Sequence, residues 1–412
     1  MININLQSPE IRFSDFYNKW GKKELGEISE INPSSELPDI FEYIDLESVS
    51  GTTILAHRTE KKVTAPSRAQ RLAQKGDIFY QTVRPYQKNN CLYDLPYDNY
   101  VFSTGYAQIR SEHNRYFLFS YLQRERFIST VLKLCTGTSY PSINTKDLSK
   151  IKINFPDSIK EQDKIGDLFK YLDEVMTLQQ QLLNDHKQLK KAMLQKMFPQ
   201  KGETVPRVRF PNFTDSWEQR NFLDNINSII DFRGRTPKKI GLSWSASGYL
   251  ALSALNVKNG YIDYYADAHY GDKNLYDKWM GGRELKEGQV LFTMEAPMGN
   301  VAQVPDNKGY ILSQRTVAFN VEESKMTNDF LSILLRSPKV FKELTALSSG
   351  GTAKGISQRS LSQLNVKVPI MIEEQTKIGN FFKQLDETIA LHENKLETYQ
   401  ELKKAMLQKM FV

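Results

Sequence analysis

The chain has 412 residues, too many for one ordinary hydrophobic core, so more than one domain is expected. Its net charge of +7 and isoelectric point near 9.0 favour an acidic partner such as nucleic acid, although a solvated basic surface has the same composition. Two cysteines without metal-ligand spacing argue against a disulfide framework and against a structural zinc site. With no signal-peptide pattern and no apolar run near ~20 residues, we expect a cytoplasmic protein without membrane contact.

The chain begins with a motif that returns later. Pro9–Trp20 has the pattern Pro-x-Ile-Arg-Phe-x-x-Phe-x-x-x-Trp, and Pro206–Trp217 repeats it with Val for Ile, 197 positions further on. We refer to both as entry motifs. Their repetition indicates that the chain was built by duplication of one unit.

The segment between Trp20 and Pro156 has the pattern of a mixed α/β domain. Strands are predicted over Phe41–Leu46, Asp77–Val83 and Tyr100–Phe102, and helix over Tyr116–Phe127. Basic and amide side chains, suited to phosphates and base edges, concentrate on its loops. The candidate nucleic-acid contacts of this segment are Arg68, Arg71, Gln81, Arg84, Tyr86 and Lys88.

A long helix is predicted from Ser158 to Phe198, since Pro199 is the first proline after its start and Ser158 with Glu161 fits a capping box. Large apolar residues recur at alternating spacings of three and four, the pattern of a coiled-coil seam. The candidates for helix pairing or partner docking are Phe169, Leu172, Met176, Leu183, Leu189 and Met193.

The second half repeats this order with a different interior. Strands are predicted over Gly248–Leu255, Gln289–Met294 and Tyr310–Leu312, then helices over Asp329–Leu335 and Val340–Leu347. A Gly-rich loop, Ser349–Gly355, corresponds to Thr136–Tyr140 of the first half. The candidate nucleic-acid contacts here are Arg233, Arg235, Lys238, Lys239 and Lys354.

The second long helix ends with the sequence LKKAMLQKMF at 402–411, identical to 189–198 and 213 positions away. At that offset Glu374-Gln375 matches Glu161-Gln162, and Leu385-Asp386 matches Leu172-Asp173. We expect the two helices to pair antiparallel, with polar seam residues setting their register. The candidates for pairing or docking on this helix are Phe382, Leu385, Ile389, Leu396, Leu402 and Met406.

The predicted fold is therefore α/β (α+β), with a pseudo-twofold internal repeat. Its domains are residues 1–156, a first variable domain, and 157–200, a central helix; residues 201–369 form a second variable domain and 370–412 a terminal helix. The material between the constant segments is 16 residues longer in the second half and little of it matches the first half, which favours two specificities on one architecture.

Motifs for catalysis are missing from the sequence. There is no GxxxxGK[ST] loop, no GxGxxG turn, no HExxH or GxSxG motif, and no deaminase pattern. We expect no catalytic residues, no metal and no cofactor bound by this chain.

The duplicated set of motifs resembles the specificity subunit of type I restriction–modification systems. The resemblance implies two target recognition domains, each reading half of a split sequence in double-stranded DNA, and paired helices that set the spacer and dock two methylation subunits. It also implies partner restriction subunits that translocate DNA. S-adenosylmethionine, ATP and Mg would then be bound by the partners.

Two other interpretations remain. The chain could be a non-catalytic coiled-coil scaffold whose end domains bind proteins. It would then show no DNA binding that weakens steeply with salt. It could also be a self-contained modification enzyme, which would need a cofactor loop that the sequence lacks.

Overall fold

The computed structural model describes residues 8–351 and 354–412. It divides into two compact units. The first unit comprises the described part of Met1–Gln180 together with Asn394–Val412, and the second unit is Gln181–Glu393. The ranges of both units cut across two long helices.

The first unit is built from short strands, helices and one half of each long helix. Its strands are β1 Gly21–Glu24, β2 Glu30–Ile31, β3 Ile40–Ile44, β4 Val49–Ser50, β5 Thr53–Ile54, β6 Arg58–Lys61, β7 Ala69–Leu72, β8 Ile78–Gln81, β9 Cys91–Leu92, β10 Tyr100–Ser103, β11 Tyr106–Arg110 and β12 Lys152–Phe155. Its helices are α1 Leu25–Ile28, α2 Arg115–Leu122, α3 Glu125–Leu134, α4 Thr145–Ser149 and the beginning of α5 Ile159–Lys196. A 3-10 turn covers Pro85–Gln87.

The second unit has a related set of elements. Its strands are β13 Glu218–Asn221, β14 Ile226–Asp231, β15 Tyr249–Leu252, β16 Tyr270–Gly271, β17 Val290–Thr293, β18 Val301–Gln303, β19 Ile311–Leu312, β20 Thr316–Val321 and β21 Asn365–Val368. Its helices are α6 Lys273–Met280, α7 Asn328–Arg336, α8 Pro338–Leu347, α9 Gln358–Leu361 and the beginning of α10 Ile372–Lys409. Turns of 3-10 type cover Phe222–Asn225 and Pro237–Ile240.

The sheets repeat between the units. The order β2-β11-β8-β9 in the first unit matches β14-β20-β17-β18 in the second. Parallel pairing of β3 with β10 matches that of β15 with β19. Helix α6 has no counterpart among the described elements of the first unit and uses part of the extra length of the second half. The predicted mixed α/β repeat with two long helices is confirmed.

Each entry motif leads directly into a strand that pairs with the strand before a long helix. Strand β1 runs antiparallel to β12, with Gly21 opposite Phe155. Strand β13 runs antiparallel to β21, with Glu218 opposite Val368. Both residues of the second pair are the repeat equivalents of the first, so the constant segments form one frame in the same register.

A buried carboxylate joins the entry motif to the long helix in each unit. Glu161 accepts from Arg12 Nε at 2.6 Å, from Arg12 Nη2 at 2.8 Å and from Trp20 Nε1 at 3.1 Å. Its predicted capping-box role is half correct: Ser158 Oγ accepts from the Glu161 N–H at 3.4 Å, but the Glu161 carboxylate binds the entry motif.

The second unit repeats these bonds atom for atom. Glu374 accepts from Arg209 at 2.7 and 2.8 Å and from Trp217 Nε1 at 3.2 Å. The hydrogen bond that Arg209 donates to Glu374 raises the pKa of the Arg209 guanidinium above its ordinary value. The neighbouring glutamine, Gln375, donates to Pro369 O at 3.1 Å, as Gln162 does to Pro156 O at 2.9 Å. The repeated Glu-Gln pair is therefore a buried anchor for the helix start.

A glycine in each long helix allows a second helix to approach. A Cβ at Gly166 would lie 2.1 Å from Asn114 Oδ1 and 3.0 Å from the Phe117 nitrogen, where α2 begins. At Gly379 it would lie 2.6 Å from Asp329 Cβ, where α7 begins. These contacts explain why both helices tolerate a residue of poor helix propensity.

Replacing Arg12 by Ala should lower the free energy of unfolding by roughly 3–5 kcal/mol, because Glu161 would remain buried without its charged partner. Urea denaturation of the full chain measures this. Arg207→Ala is the matched control, since Arg207 forms an exposed pair with Glu203 and should leave the unfolding midpoint unchanged. Equal effects of both variants would contradict a buried anchor.

Replacing Gly166 by Ala should destabilise the chain, although in an unobstructed helix the same change adds about 1 kcal/mol of stability. The opposite sign follows from the close approach of Asn114. Thermal unfolding gives the sign. Gly21→Ala serves as control because its Cβ would lie 4.0 Å from Phe155 O, the nearest atom beyond its chain neighbours.

Candidate nucleic-acid interface

In the first unit, hydrogen bonds join four loops into a cluster that contains two of the predicted cations. The Thr104 N–H donates to Arg68 O at 2.8 Å, and the Thr82 N–H donates to Gly105 O at 2.9 Å. The Arg84 N–H then donates to Pro141 O at 2.8 Å. We call these segments, Arg68, Thr104–Gly105, Thr82–Pro85 and Tyr140–Pro141, the first loop cluster.

Arg84 lies in an ordered position within this cluster. Its backbone has φ +55°, in the left-handed region, and Pro85 follows it. Its guanidinium carbon lies 4.3 Å from the centroid of the exposed Tyr140 ring. Stacking on an aromatic ring leaves the edge of the guanidinium available to an acceptor. Arg68 is exposed, and its side chain has no hydrogen bond or ion pair with any residue that the structure describes.

The second unit assembles a similar cluster, in which three loops are equivalent to those of the first unit. The fourth differs, since Arg68 lies between β6 and β7 whereas Arg235 lies between β14 and β15. Gln314 Nε2 donates to Arg235 O at 2.6 Å, and the Met294 N–H donates to Arg315 O at 2.7 Å. Glu295 pairs with Gly355 in an isolated antiparallel bridge. We call Arg235, Gln314–Arg315, Met294–Pro297 and Lys354–Gly355 the second loop cluster. Thr352 and Ala353, part of the predicted Gly-rich loop, lie outside the described residues.

The fold itself uses several of the predicted contacts. Gln81 is buried and donates to Gln87 Oε1 at 2.8 Å. Arg235 donates to Trp279 O and stacks on Phe232, with its guanidinium carbon 4.6 Å from the ring centroid. Arg233 binds Asp231 at 2.7 Å. These side chains stabilise the loops through contacts within the folded chain.

The remaining candidates are distributed around the clusters. Burial lowers the pKa of the Arg71 guanidinium, whose Nε has no partner among the described residues. Lys88 binds Glu125, and Lys239 Nζ donates to Gly234 O at 2.7 Å. Tyr86, Lys238 and Lys354 are exposed. The DNA contacts assigned to all these residues stay predictions.

Sequence reasoning missed Glu295 and Arg315 of the second loop cluster. They lie 3.2 Å apart, and both are exposed. Arg315 occupies the position of Gly105 in the first unit, since Met294 binds Arg315 as Thr82 binds Gly105. The available signal was the turn between β19 and β20, which corresponds to the turn between β10 and β11. The two turns differ in length.

The long helices pair within each unit in the antiparallel sense. In the first unit Phe411 stacks on Phe169, with ring centroids 5.5 Å apart, and Lys403 Nζ lies 2.5 Å from Asp173. In the second unit Phe198 packs against Phe382, with centroids 6.5 Å apart, and Lys190 binds Asp386. The identical block thus supplies a lysine that binds the aspartate of the Leu-Asp motif and a phenylalanine that packs in the core.

The seam candidates have different degrees of burial. Buried members are Phe169, Leu172, Leu183, Phe382 and Leu385, and partly buried ones are Met176, Met193, Ile389, Leu396 and Met406. Leu189 and Leu402 remain 41% and 38% exposed, so helix pairing does not account for their identity. At polar seam positions of the second unit, the rings of His186 and His392 stack with centroids 5.1 Å apart.

Replacing Phe411 by Ala should destabilise the chain by about 3–5 kcal/mol, because its ring also packs against Trp20 and Phe117 in the core. Leu402→Ala, in the same block, should change stability by less than about 1 kcal/mol because Leu402 is exposed. Urea unfolding of both variants distinguishes the buried from the exposed part of the block. A large loss of stability in Leu402→Ala would contradict the exposed position of Leu402.

Two general features bear on function. Among the described helices, none combines the length and apolar character needed to cross a membrane. Within residues 8–351 and 354–412, no group of three or more His, Cys, Asp and Glu side chains is placed to hold a metal ion.

Comparison with known proteins gives one consistent family. The model of the type I restriction modification DNA specificity domain matches residues 17–188 and again 233–401. The type I restriction enzyme MjaVIII specificity subunit of Methanocaldococcus jannaschii is 23% identical over 345 residues, which cover 82% of this chain and 73% of the relative.

Solved structures share the fold. The type I restriction–modification S subunit from M. genitalium aligns with a TM-score of 0.65 at 14% identity, covering 98% of this chain and 99% of that chain. A chain from a structural study of complex assembly and conformational transition of the type I R-M system aligns with a TM-score of 0.51 at 21% identity, covering 95% and 97%. The predicted resemblance is confirmed: this chain belongs to the family of type I restriction–modification DNA specificity subunits.

Proposed function

We propose that each unit recognises one half of a bipartite sequence in double-stranded DNA through its loop cluster. The observation that carries this proposal is a hydrogen-bonded loop cluster in each unit, built on three equivalent loops that carry different side chains. The first cluster presents Arg68 and Arg84, whereas the second presents Arg315 and Lys354, with the Arg235 side chain bound to the fold. A constant frame with exchanged side chains is what two different half-sequences require.

The long helices would fix the number of unread base pairs between the halves. Each has 38 residues, which corresponds to roughly 57 Å at 1.5 Å per residue. Pairing through buried aromatic residues and Lys–Asp contacts in each unit gives them the stiffness that a fixed spacer needs.

The exposed part of the identical block would dock the methylation subunits. Leu189 and Leu402 are exposed at equivalent places, which fits two copies of one partner. In this proposal the chain supplies recognition without catalysis in the cytoplasm, while its partners bind S-adenosylmethionine, ATP and Mg, methylate the DNA, and restrict and translocate it.

Mapping of methylated sites in cells that carry the complete system tests the proposal. We expect a bipartite motif with a constant gap. Arg84→Ala should relax or weaken the first half of that motif and leave the second half intact, because Arg84 belongs to the first loop cluster. A continuous motif, or equal loss in both halves, would contradict the assignment of one half to each unit.

Salt dependence separates this proposal from the scaffold alternative. Binding to duplex DNA should weaken steeply between about 50 and 200 mM salt, since phosphate contacts release counterions. A scaffold whose end domains bind proteins would not show this salt-dependent binding to DNA. The assay uses the full chain with its methylation subunits and a duplex that contains the mapped site.

A further inference from the structure

Glu295 and Arg315 form an ion pair on the accessible side of the second loop cluster. Glu295 Oε1 lies 3.2 Å from Arg315 Nε, with the side chains 51% and 55% exposed. An ion pair this exposed stabilises a protein little, so either side chain can exchange its partner for a ligand. The pair therefore combines accessibility with a defined geometry.

The backbone of Arg315 is in an unfavourable conformation for an arginine. Its φ is +66°, in the left-handed region that residues other than glycine rarely adopt. Gly105, at the equivalent position of the first unit, does not have a positive φ, so the left-handed backbone at this position is particular to the second unit. Strained residues of this kind concentrate at binding sites, because a folding advantage does not account for them.

Glu295 is held in place by the loop beside it. A Cβ at Gly355 would lie 3.3 Å from Glu295 Cβ and 3.6 Å from Oε2, so the Glu295 side chain lies against the loop backbone. Gly355 also pairs with Glu295 through its main chain. A carboxylate fixed in this way restricts the directions in which the Arg315 guanidinium can point.

Other arginines near this cluster are already engaged. Arg235 donates to Trp279 O, and Arg233 binds Asp231 at 2.7 Å. Arg315, by contrast, is bound only to the exposed Glu295 among the described residues. Of the arginines in this cluster, it is the one whose guanidinium is most easily released to bind DNA.

We propose that Arg315 reads a guanine in the second half of the target and that Glu295 is its positioning residue. The guanidinium fork matches O6 and N7 of guanine in the major groove. A neighbouring carboxylate repels phosphate, so it keeps Arg315 from serving as a sequence-independent backbone contact. This inference rests on the proposed function and assigns one base of the second half-sequence.

Arg315→Lys keeps the charge but loses the fork, and it tests the assignment in the full chain assembled with its methylation subunits. One guanine position in the second half of the methylated motif should relax, with discrimination falling roughly 5- to 100-fold. The first half and the salt dependence of binding should not change. Arg84→Ala is the matched control and should affect the first half alone.

Arg315→Gly separates folding from recognition, because glycine adopts the left-handed backbone freely. It should unfold at least as late as the original chain and show the same relaxed position. An unchanged motif in both variants would overturn the proposal. So would a uniform loss of affinity for all DNA sequences with a salt slope smaller by about one, which is the signature of a phosphate contact.

Glu295→Gln tests the positioning role. Its affinity for DNA without the target should rise, and the salt slope should become steeper by about one, as Arg315 becomes available to phosphate. Unchanged binding to such DNA would remove Glu295 from the proposal. If the original complex methylated no bipartite motif, the proposed function itself would fail, and this result is distinct from all the outcomes of the variants.

Discussion

The buried carboxylate at the start of each long helix is the interaction on which the architecture depends. Glu161 and Glu374 are almost inaccessible to solvent, and each is neutralised by an arginine and accepts a further hydrogen bond from a tryptophan, both from an entry motif more than 140 residues earlier. A charge at such depth is tolerated only when it is paired and hydrogen-bonded. It therefore ties the beginning of each repeat to its end, and the strand pairs β1–β12 and β13–β21 keep the same register around it.

Around this anchor the identical block has a divided role. Its final residues, such as Phe198 and Phe411, fill the core of a unit, and Lys190 and Lys403 bind aspartates of the partner helix. Leu189 and Leu402 remain on the surface. Identity through both faces of the helix thus has an internal cause on one face, while the leucines of the other face are exposed.

Much of the frame could be predicted from the sequence because periodicity and repetition are local signals. The long helices, their bounds within a few residues and the seam positions near Phe169 and Phe382 followed from spacing alone. The anchor could not be predicted in the same way, since nothing local indicates that Arg12 reaches Glu161. Arg235 and Gln81 could not be judged either, because a basic loop has the same sequence whether its side chains face solvent or the fold. Glu295 and Arg315 come together only through the sheet that joins β17 to β20.

The assignment of the chain to units has a consequence for biosynthesis. The second unit is continuous in sequence, from Gln181 to Glu393, so its core can form while the ribosome is still adding residues. The core of the first unit includes Met410, Phe411 and Val412, and Phe411 is made 242 residues after Phe169, the residue of the other long helix on which it stacks. Until the second long helix is made, the core of the first unit is incomplete and its apolar surface near Trp20 and Phe169 stays exposed. A nascent chain of this kind is most vulnerable to aggregation and proteolysis in the domain that is synthesised first.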